Sequence, residues 1–265
     1  MNIYLNELRS LRKATIIWTC AIIALAALYL SIYPGVEKDA AGFRDVLSNY
    51  PASVRAMLGI SLDTVTSLPG FYSMVLSFVT LCGAIQAMIF GVSILSRETL
   101  GRTVDFLFVK PVSRAAILNA KLLAALTTIL AADVLYYAVV TIFANNIKPD
   151  YNHRLFLMIN GTLLFIQLIY LALGILVSVV VPRLKATLSV SLGIVFGFYF
   201  IGAFFAADKN DLARFISPFR YFDTQYIITT SSYELPYLLA GLTIIIAALS
   251  ASYLIYLRMD IHAAR

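Results

Sequence analysis

The sequence predicts an all-α polytopic membrane protein with six transmembrane helices, and three observations carry that prediction. The first is composition. Hydrophobic residues make up 61% of the 265-residue chain and charged residues 13%, with a mean hydropathy of +0.87. A soluble globule carries roughly 45–50% apolar and about 25% charged residues, so this chain lacks the polar surface to face water on all sides. That excludes a soluble enzyme, a disordered chain and a secreted disulfide scaffold. The second observation is that six apolar stretches of about 20 residues or more contain no Lys or Arg. The third is that the Lys and Arg between them fall unevenly on the two sides of the resulting topology. The net charge of +6 is scattered through short connections, whereas a nucleic-acid binder gathers it on one water-facing domain.

A hydrocarbon core of about 30 Å needs about 20 apolar residues in a helix, and irregular backbone is not tolerated against lipid. The first span covers 14–33. It is too long for a signal-peptide core and shows no clear cleavage pattern, so it reads as an uncleaved start. Ahead of it, Tyr4, Leu5, Leu8 and Leu11 recur at helical spacing, with Glu7, Arg9, Arg12 and Lys13 elsewhere around the wheel. That pattern predicts a short amphipathic helix over 1–13, lying in the interface before the chain turns into the membrane; a frayed terminus is the alternative. The connection 34–70 is long enough for a small helix around 41–58, broken at Pro51. The remaining spans are 71–95, 122–144, 155–181, 187–207 and 236–257. The segment 208–235 is rich in Phe and Tyr, which suits the headgroup layer. It reads as a short re-entrant piece or as an ordinary loop. No repeat or low-complexity tract divides the chain, so 1–265 reads as one membrane domain.

With the N-terminus inside, cytoplasmic segments hold twelve Lys and Arg and the opposite side eight, while acids number four and nine. The asymmetry places both termini in the cytoplasm, in a plasma membrane and most simply a bacterial inner membrane.

Motifs for catalysis are absent. There is no G-x-x-x-x-G-K-[ST], so the chain has no P-loop to cradle a nucleotide, and no G-x-G-x-x-G, H-E-x-x-H, C-x-x-C or G-x-S-x-G occurs. Cys20 and Cys82 lie inside apolar runs, and His153 and His262 fall on opposite sides of the membrane. Neither pair builds a disulfide or a metal site. The Asn160-Gly161-Thr162 triplet lies inside the fourth span, out of reach of glycosylation. Asp133 is the one ionisable group at mid-span, where a lone acid costs at least ~2.5–3.5 kcal/mol on insertion scales. It is either a cargo or proton contact, or a structural acid bonded to Thr127, Tyr136, Tyr137, Gln86, Asn160 or Gln167. Gly83, Ala87 and Gly91 form a small-residue stripe on the second span, and Gly193 with Gly197 forms a GxxxG on the fifth. Each can serve packing within the chain or a seam with a second chain.

The informative stretch follows the second span and reads SRETLGRTVDFLFVKPVSRAAILNAK over 96–121. It resembles the permease subunits of type-2 ABC exporters, which carry an acid, Gly-Thr, an apolar-acidic turn, Pro-Val-Ser-Arg and a Lys opening the third span. Glu98, Gly101, Thr103, Asp105, Pro111, Ser113, Arg114 and Lys121 follow that order. Arg102 separates Gly101 from Thr103, which the family usually has adjacent. The segment 217–223, the terminal 258–261, the basic amphipathic start and the six spans are also similar, so the resemblance covers nearly the whole chain. It implies an N-terminal elbow helix and a cytoplasmic coupling helix docked on an ATPase. It also implies two separate ATPase subunits, which bind ATP and Mg while this chain binds no cofactor, and a second permease chain, identical or different. The residues agree independently: Leu100, Val104, Phe106, Leu107 and Phe108 among Arg102, Asp105 and Lys110 are too apolar for a free loop and too charged to span. The expected function is export of an amphipathic or apolar cargo such as an antimicrobial peptide, an antibiotic or a lipid. A sensor or immunity subunit is a second reading. An intramembrane hydrolase or acyltransferase is a third, but it needs at least two facing catalytic groups where only Asp133 is ionisable.

Overall fold

The computed structural model describes residues 3–100, 113–181, 184–205 and 211–258, and all regular structure among them is helical. The long helices are α1 (Ile3–Lys38), α4 (Leu68–Leu100), α5 (Arg114–Ile147), α6 (His153–Val180), α7 (Thr187–Phe204) and α10 (Leu235–Arg258). These six are long and apolar enough to cross a membrane. Short elements join them on the side away from the N-terminus, here the far side: α2 (Ala40–Ser48), α3 (Ala52–Met57), α8 (Asp211–Arg214), a 3-10 turn at Pro218–Arg220 and α9 (Thr224–Thr230).

Local chemistry sets several of these boundaries. Asp39 Oδ1 accepts from the Gly42 N–H to cap α2, Asn152 caps α6 through Leu155, and Asp223 caps α9 through Gln225 and Tyr226. Pro51 separates α2 from α3, as its missing N–H and fixed φ require. Gly59 turns the chain after α3 at φ +65°, a backbone region that suits glycine.

Two helices form the centre. In their most apolar windows, 72% of α4 and 61% of α6 is buried, against 22% or less for α1, α7 and α10. The two make the most extensive contact in the bundle; α1 and α7 pack on α4, α5 on α1, and α10 on α6. Small residues make the central approach possible. A Cβ on Gly91 would meet the Leu171 carbonyl oxygen at 2.5 Å and the Gly174 Cα at 2.8 Å. The peripheral helices turn large apolar side chains outward, among them Ile17, Val134, Phe200, Phe204 and Leu254. Against water such faces would drive aggregation; against acyl chains they carry no penalty.

Two expectations change. The amphipathic start is helical, but it is no separate elbow: α1 runs without interruption from Ile3 to Lys38. Its polar-apolar pattern faces protein, since Glu7 and Leu11 are buried and continue a stripe through Ile22, Ala26, Leu30 and Tyr33. The long helices also overrun several of the apolar stretches, because α1 and α5 stay packed beyond their apolar windows. The expected coupling helix falls mostly on 101–112, outside the described residues.

Candidate functional site

The N-terminal side of the bundle, where α4 ends and α5 begins, is built around one amine. Lys121, in the second turn of α5, is 1% exposed. Its Nζ donates to the Ile94 carbonyl on α4 at 2.8 Å and to Glu7 Oε2 on α1 at 3.5 Å. One side chain thus ties three helices together. Nearby, Tyr4 OH donates to Thr127 Oγ1 at 3.1 Å, a second link from α1 to α5. Ser113 caps α5 by accepting from the Ala116 N–H, and Arg114 Nη1 reaches the Leu257 carbonyl near the end of α10 at 3.5 Å. The segment 101–112 is therefore bracketed by residues fastened to α1, α4 and α10.

Of the expected coupling residues, Arg114 sits at this junction and Glu98 lies in the last turn of α4. Gly101, Thr103, Asp105, Phe106, Phe108 and Pro111 lie outside the described residues. Sequence reasoning noted Lys121 but missed its partner. Glu7, expected on the polar side of the wheel, is instead buried with Leu11, and its i+3 and i+4 spacing from Tyr4 and to Leu11 was the signal, since an acid on an apolar face needs a countercharge.

The intramembrane polar residues divide into two groups. Asp133 on α5 pairs with Gln167 on α6, whose amide nitrogen, turned toward the carboxylate, donates at 2.7 and 3.0 Å. Asn160 and Gln86 do not join them. Asn160 Oδ1 accepts from Tyr72 OH at 2.6 Å, and its Nδ2 donates to the Phe156 carbonyl. Tyr72 spends its proton on Asn160, so Tyr136 OH, 2.7 Å away, donates to Tyr72. Gln86 is buried with no partner for Nε2 among the described residues. These are amides and phenols joining α4, α5 and α6. No cluster of metal-ligating side chains occurs among the described residues.

The small-residue stripes also separate. Gly83 and Gly91 face α6, and Ala87 between them is fully buried. Gly193 and Gly197 on α7 are exposed, with nothing within 4 Å of an added Cβ.

On the far side, the segment after α7 enters the bundle. Phe219 lies against Tyr170 on α6 and Tyr199 on α7, at ring separations of 5.2 and 5.4 Å, and Ser217 Oγ donates to the Phe198 carbonyl. The segment therefore folds back onto α6 and α7, as a re-entrant piece would, in place of standing clear of them. Arg214 fastens it, donating to Glu234 and to the Arg220 carbonyl, with its guanidinium 4.0 Å from the Tyr237 ring centre. Burial alone would lower the Arg214 pKa, but the hydrogen bond and charge of Glu234 outweigh it and hold the group above its ordinary value.

Six membrane-crossing helices around a buried α4–α6 pair define a polytopic membrane subunit with no nucleotide motif of its own. The family model described as ABC-2 family transporter protein matches residues 1–261. The chain belongs to that family: it is the transmembrane permease subunit of an ABC transporter, which works with ABC ATPase partners. No curated protein matches the sequence.

Two substitutions test these interactions. Removing one partner of a buried ion pair typically costs about 3–5 kcal/mol, whereas replacing both with apolar groups is often neutral. Lys121→Ala should therefore lower the unfolding free energy in detergent by about 3 kcal/mol, while Glu7→Leu combined with Lys121→Met should largely restore it; equal loss in both variants would refute the pairing. Asp133→Asn keeps a hydrogen bond to Gln167 and should preserve assembly and ATP-driven transport. Transport abolished in an intact complex would instead make Asp133 a cargo or proton contact.

Proposed function

We propose that the chain exports an amphipathic or apolar cargo, such as a peptide, an antibiotic or a lipid, driven by two ATPase subunits. ATP and Mg bind on those subunits, and this chain holds no cofactor. A second permease chain, identical or different, completes the transporter. The exposed Gly193 and Gly197, next to exposed Phe200 and Phe204 on α7, favour that helix as the seam. Both termini lie in the cytoplasm of a bacterial cell. The Lys and Arg distribution supports that orientation, and it makes the Lys121 junction the cytoplasmic end. In a Cys-free background, single cysteines at Ser113 and Ser231 should label from opposite sides of the membrane. Labelling of both from outside would reject the orientation.

The observation that carries this reading is the bracketing of 101–112. Glu98 precedes the segment, Arg114 and Lys121 follow it, and Lys121 joins its exit to α4 and α1. A push on this segment reaches three helices at once. ATP-driven closure of the partners would deliver that push through Phe106 and Phe108, the largest apolar side chains of the segment. A truncated anchor at a hot spot typically costs ~2 kcal/mol or more, about a thirtyfold loss in affinity. Phe106→Ala with Phe108→Ala should leave insertion intact but release the ATPase, or uncouple hydrolysis from transport. Co-purification and cargo-stimulated ATP turnover in nanodiscs measure both. Wild-type values for both would remove this segment as the coupling element.

A further inference from the structure

At the N-terminal end of the bundle, the outward face of α1 carries positive charge that nothing among the described residues answers. Arg9, Arg12 and Lys13 are exposed, and none of them makes a hydrogen bond or ion pair among those residues. At about 100° per residue the three fall within about 100° of arc, on the side opposite the buried Glu7, Leu11 and Ile22. The sequence alone understates this charge. Glu7 is the first acid on α1 and Glu37 the next, so in a loose terminus Glu7 would offset Arg9 or Arg12. The fold turns it away, because its carboxylate is buried against Lys121 Nζ at 3.5 Å. Glu98, the other described acid at this end, belongs to α4, which packs on the buried side of α1 through Leu11.

Position along the helix decides which partner fits. One turn beyond Lys13 the same side of α1 becomes apolar, with Ile16 53% and Ile17 68% exposed, and the apolar part of the helix continues from there. Side chains of that kind lie in hydrocarbon, so the cations stand within ~10 Å of its edge, at about 1.5 Å per residue. That is the depth of lipid phosphates, which long basic side chains reach by extending along the helix. Every phospholipid brings a phosphate there. Choline and ethanolamine heads also bring a cation that cancels the gain, whereas a head of net negative charge does not. The partner must meet three cations and, next to them, two isoleucines. A lipid does both, with a charged head and an acyl chain.

We propose that this face of α1 binds an anionic phospholipid, with the head on Arg9, Arg12 and Lys13 and an acyl chain along Ile16 and Ile17. Binding needs neither ATP nor a particular orientation in the membrane, so it can fail without touching the permease assignment. The chain has a single Trp, Trp18, which allows a local test. In the full-length protein carrying Trp18→Phe, Ile17→Trp places the only indole on this face. Ile32→Trp places it toward the other end of α1, where Ile32 is 50% exposed. Each is reconstituted in phosphatidylcholine vesicles in which brominated phosphatidylglycerol, or brominated phosphatidylcholine of the same acyl chains, replaces part of the lipid. Bromine quenches an indole it touches. At Ile17→Trp, phosphatidylglycerol should be preferred about fivefold, the factor that one cation beside an anionic head contributes. At Ile32→Trp the two lipids should quench alike. Arg9→Gln with Arg12→Gln and Lys13→Gln should abolish the preference, as should salt at about 1 M. Arg9→Lys with Arg12→Lys keeps the charges, should keep the preference, and controls for folding. Equal quenching by the two lipids at Ile17→Trp, or the same preference at Ile32→Trp, overturns the proposal. So does a glutamine variant that keeps the lipid preference but no longer co-purifies with the ATPase, which would make this face a protein contact.

Discussion

At Gly91 and Gly174 the backbones of α4 and α6 come too close for any side chain to stand between them. The rest of the bundle follows from that crossing. Moving toward the far side, the residues separating the two helices grow in size. Gly83 meets Leu163 and Gln167, and Tyr72 meets Phe156 and Asn160. Side-chain volume therefore wedges the helices apart, and the wedge opens toward the re-entrant segment. A cavity lined by Ser73, Ser77, Thr80 and Thr162 and the Tyr136–Tyr72–Asn160 chain both lie on the splayed half. Glycine at the narrow end supplies close van der Waals contact, the main attraction left between helices whose lipid surroundings are as apolar as they are.

The N-terminal end is held differently. There Lys121 and Glu7 replace close backbone contact with charge, and the Ile94 carbonyl takes a third share of the amine. Such a group is poorly suited to raising stability, since desolvating two charges offsets most of their attraction. What it supplies is register. An ammonium that must meet a carboxylate on α1 and a carbonyl on α4 fixes the axial positions of three helices, which apolar contacts between interchangeable Leu and Ile side chains do not.

The sequence made the membrane class, the six helices and the break at Pro51 legible, because hydrocarbon thickness and proline chemistry act on short windows. It was silent on which face of each helix looks inward. In water, polarity marks the exposed side; in lipid, both sides are apolar, so Ile17 and Ile22 on α1 look alike although one is exposed and the other buried. The two small-residue stripes show the same ambiguity. Gly83 and Gly91, with buried Ala87 between them, turn to α6 while Gly193 and Gly197 face outward, yet both stripes repeat every four residues. The Glu7–Lys121 and Tyr72–Asn160 contacts join residues far apart in the chain, and only the fold brings them together. The re-entrant segment was half legible. Its aromatic content marked an interface, but the same rings serve headgroups and the Tyr170–Phe219–Tyr199 stack alike.

The two ends of the bundle differ in stiffness in a way that bears on transport. At the Gly91–Gly174 crossing no side chain can rearrange, so α4 and α6 cannot slide there without losing contact altogether. At the far end they are separated by side chains and hydrogen bonds that have other rotamers. Rotation imposed on the N-terminal end, where Lys121 joins α1 and α5 to α4, is thus resisted at the crossing and expressed where the helices splay. The far end of α4 at Leu68 is 23 residues from Gly91, a lever of ~35 Å at 1.5 Å per residue. A tilt of ~5° about the crossing then moves that end by ~3 Å, comparable to the width of one hydrogen bond. At Tyr72, closer to the crossing, the same tilt gives ~2.5 Å, enough to part its hydroxyl from Asn160 on α6. A small rotation at the N-terminal end would thus be amplified at the far end of the bundle.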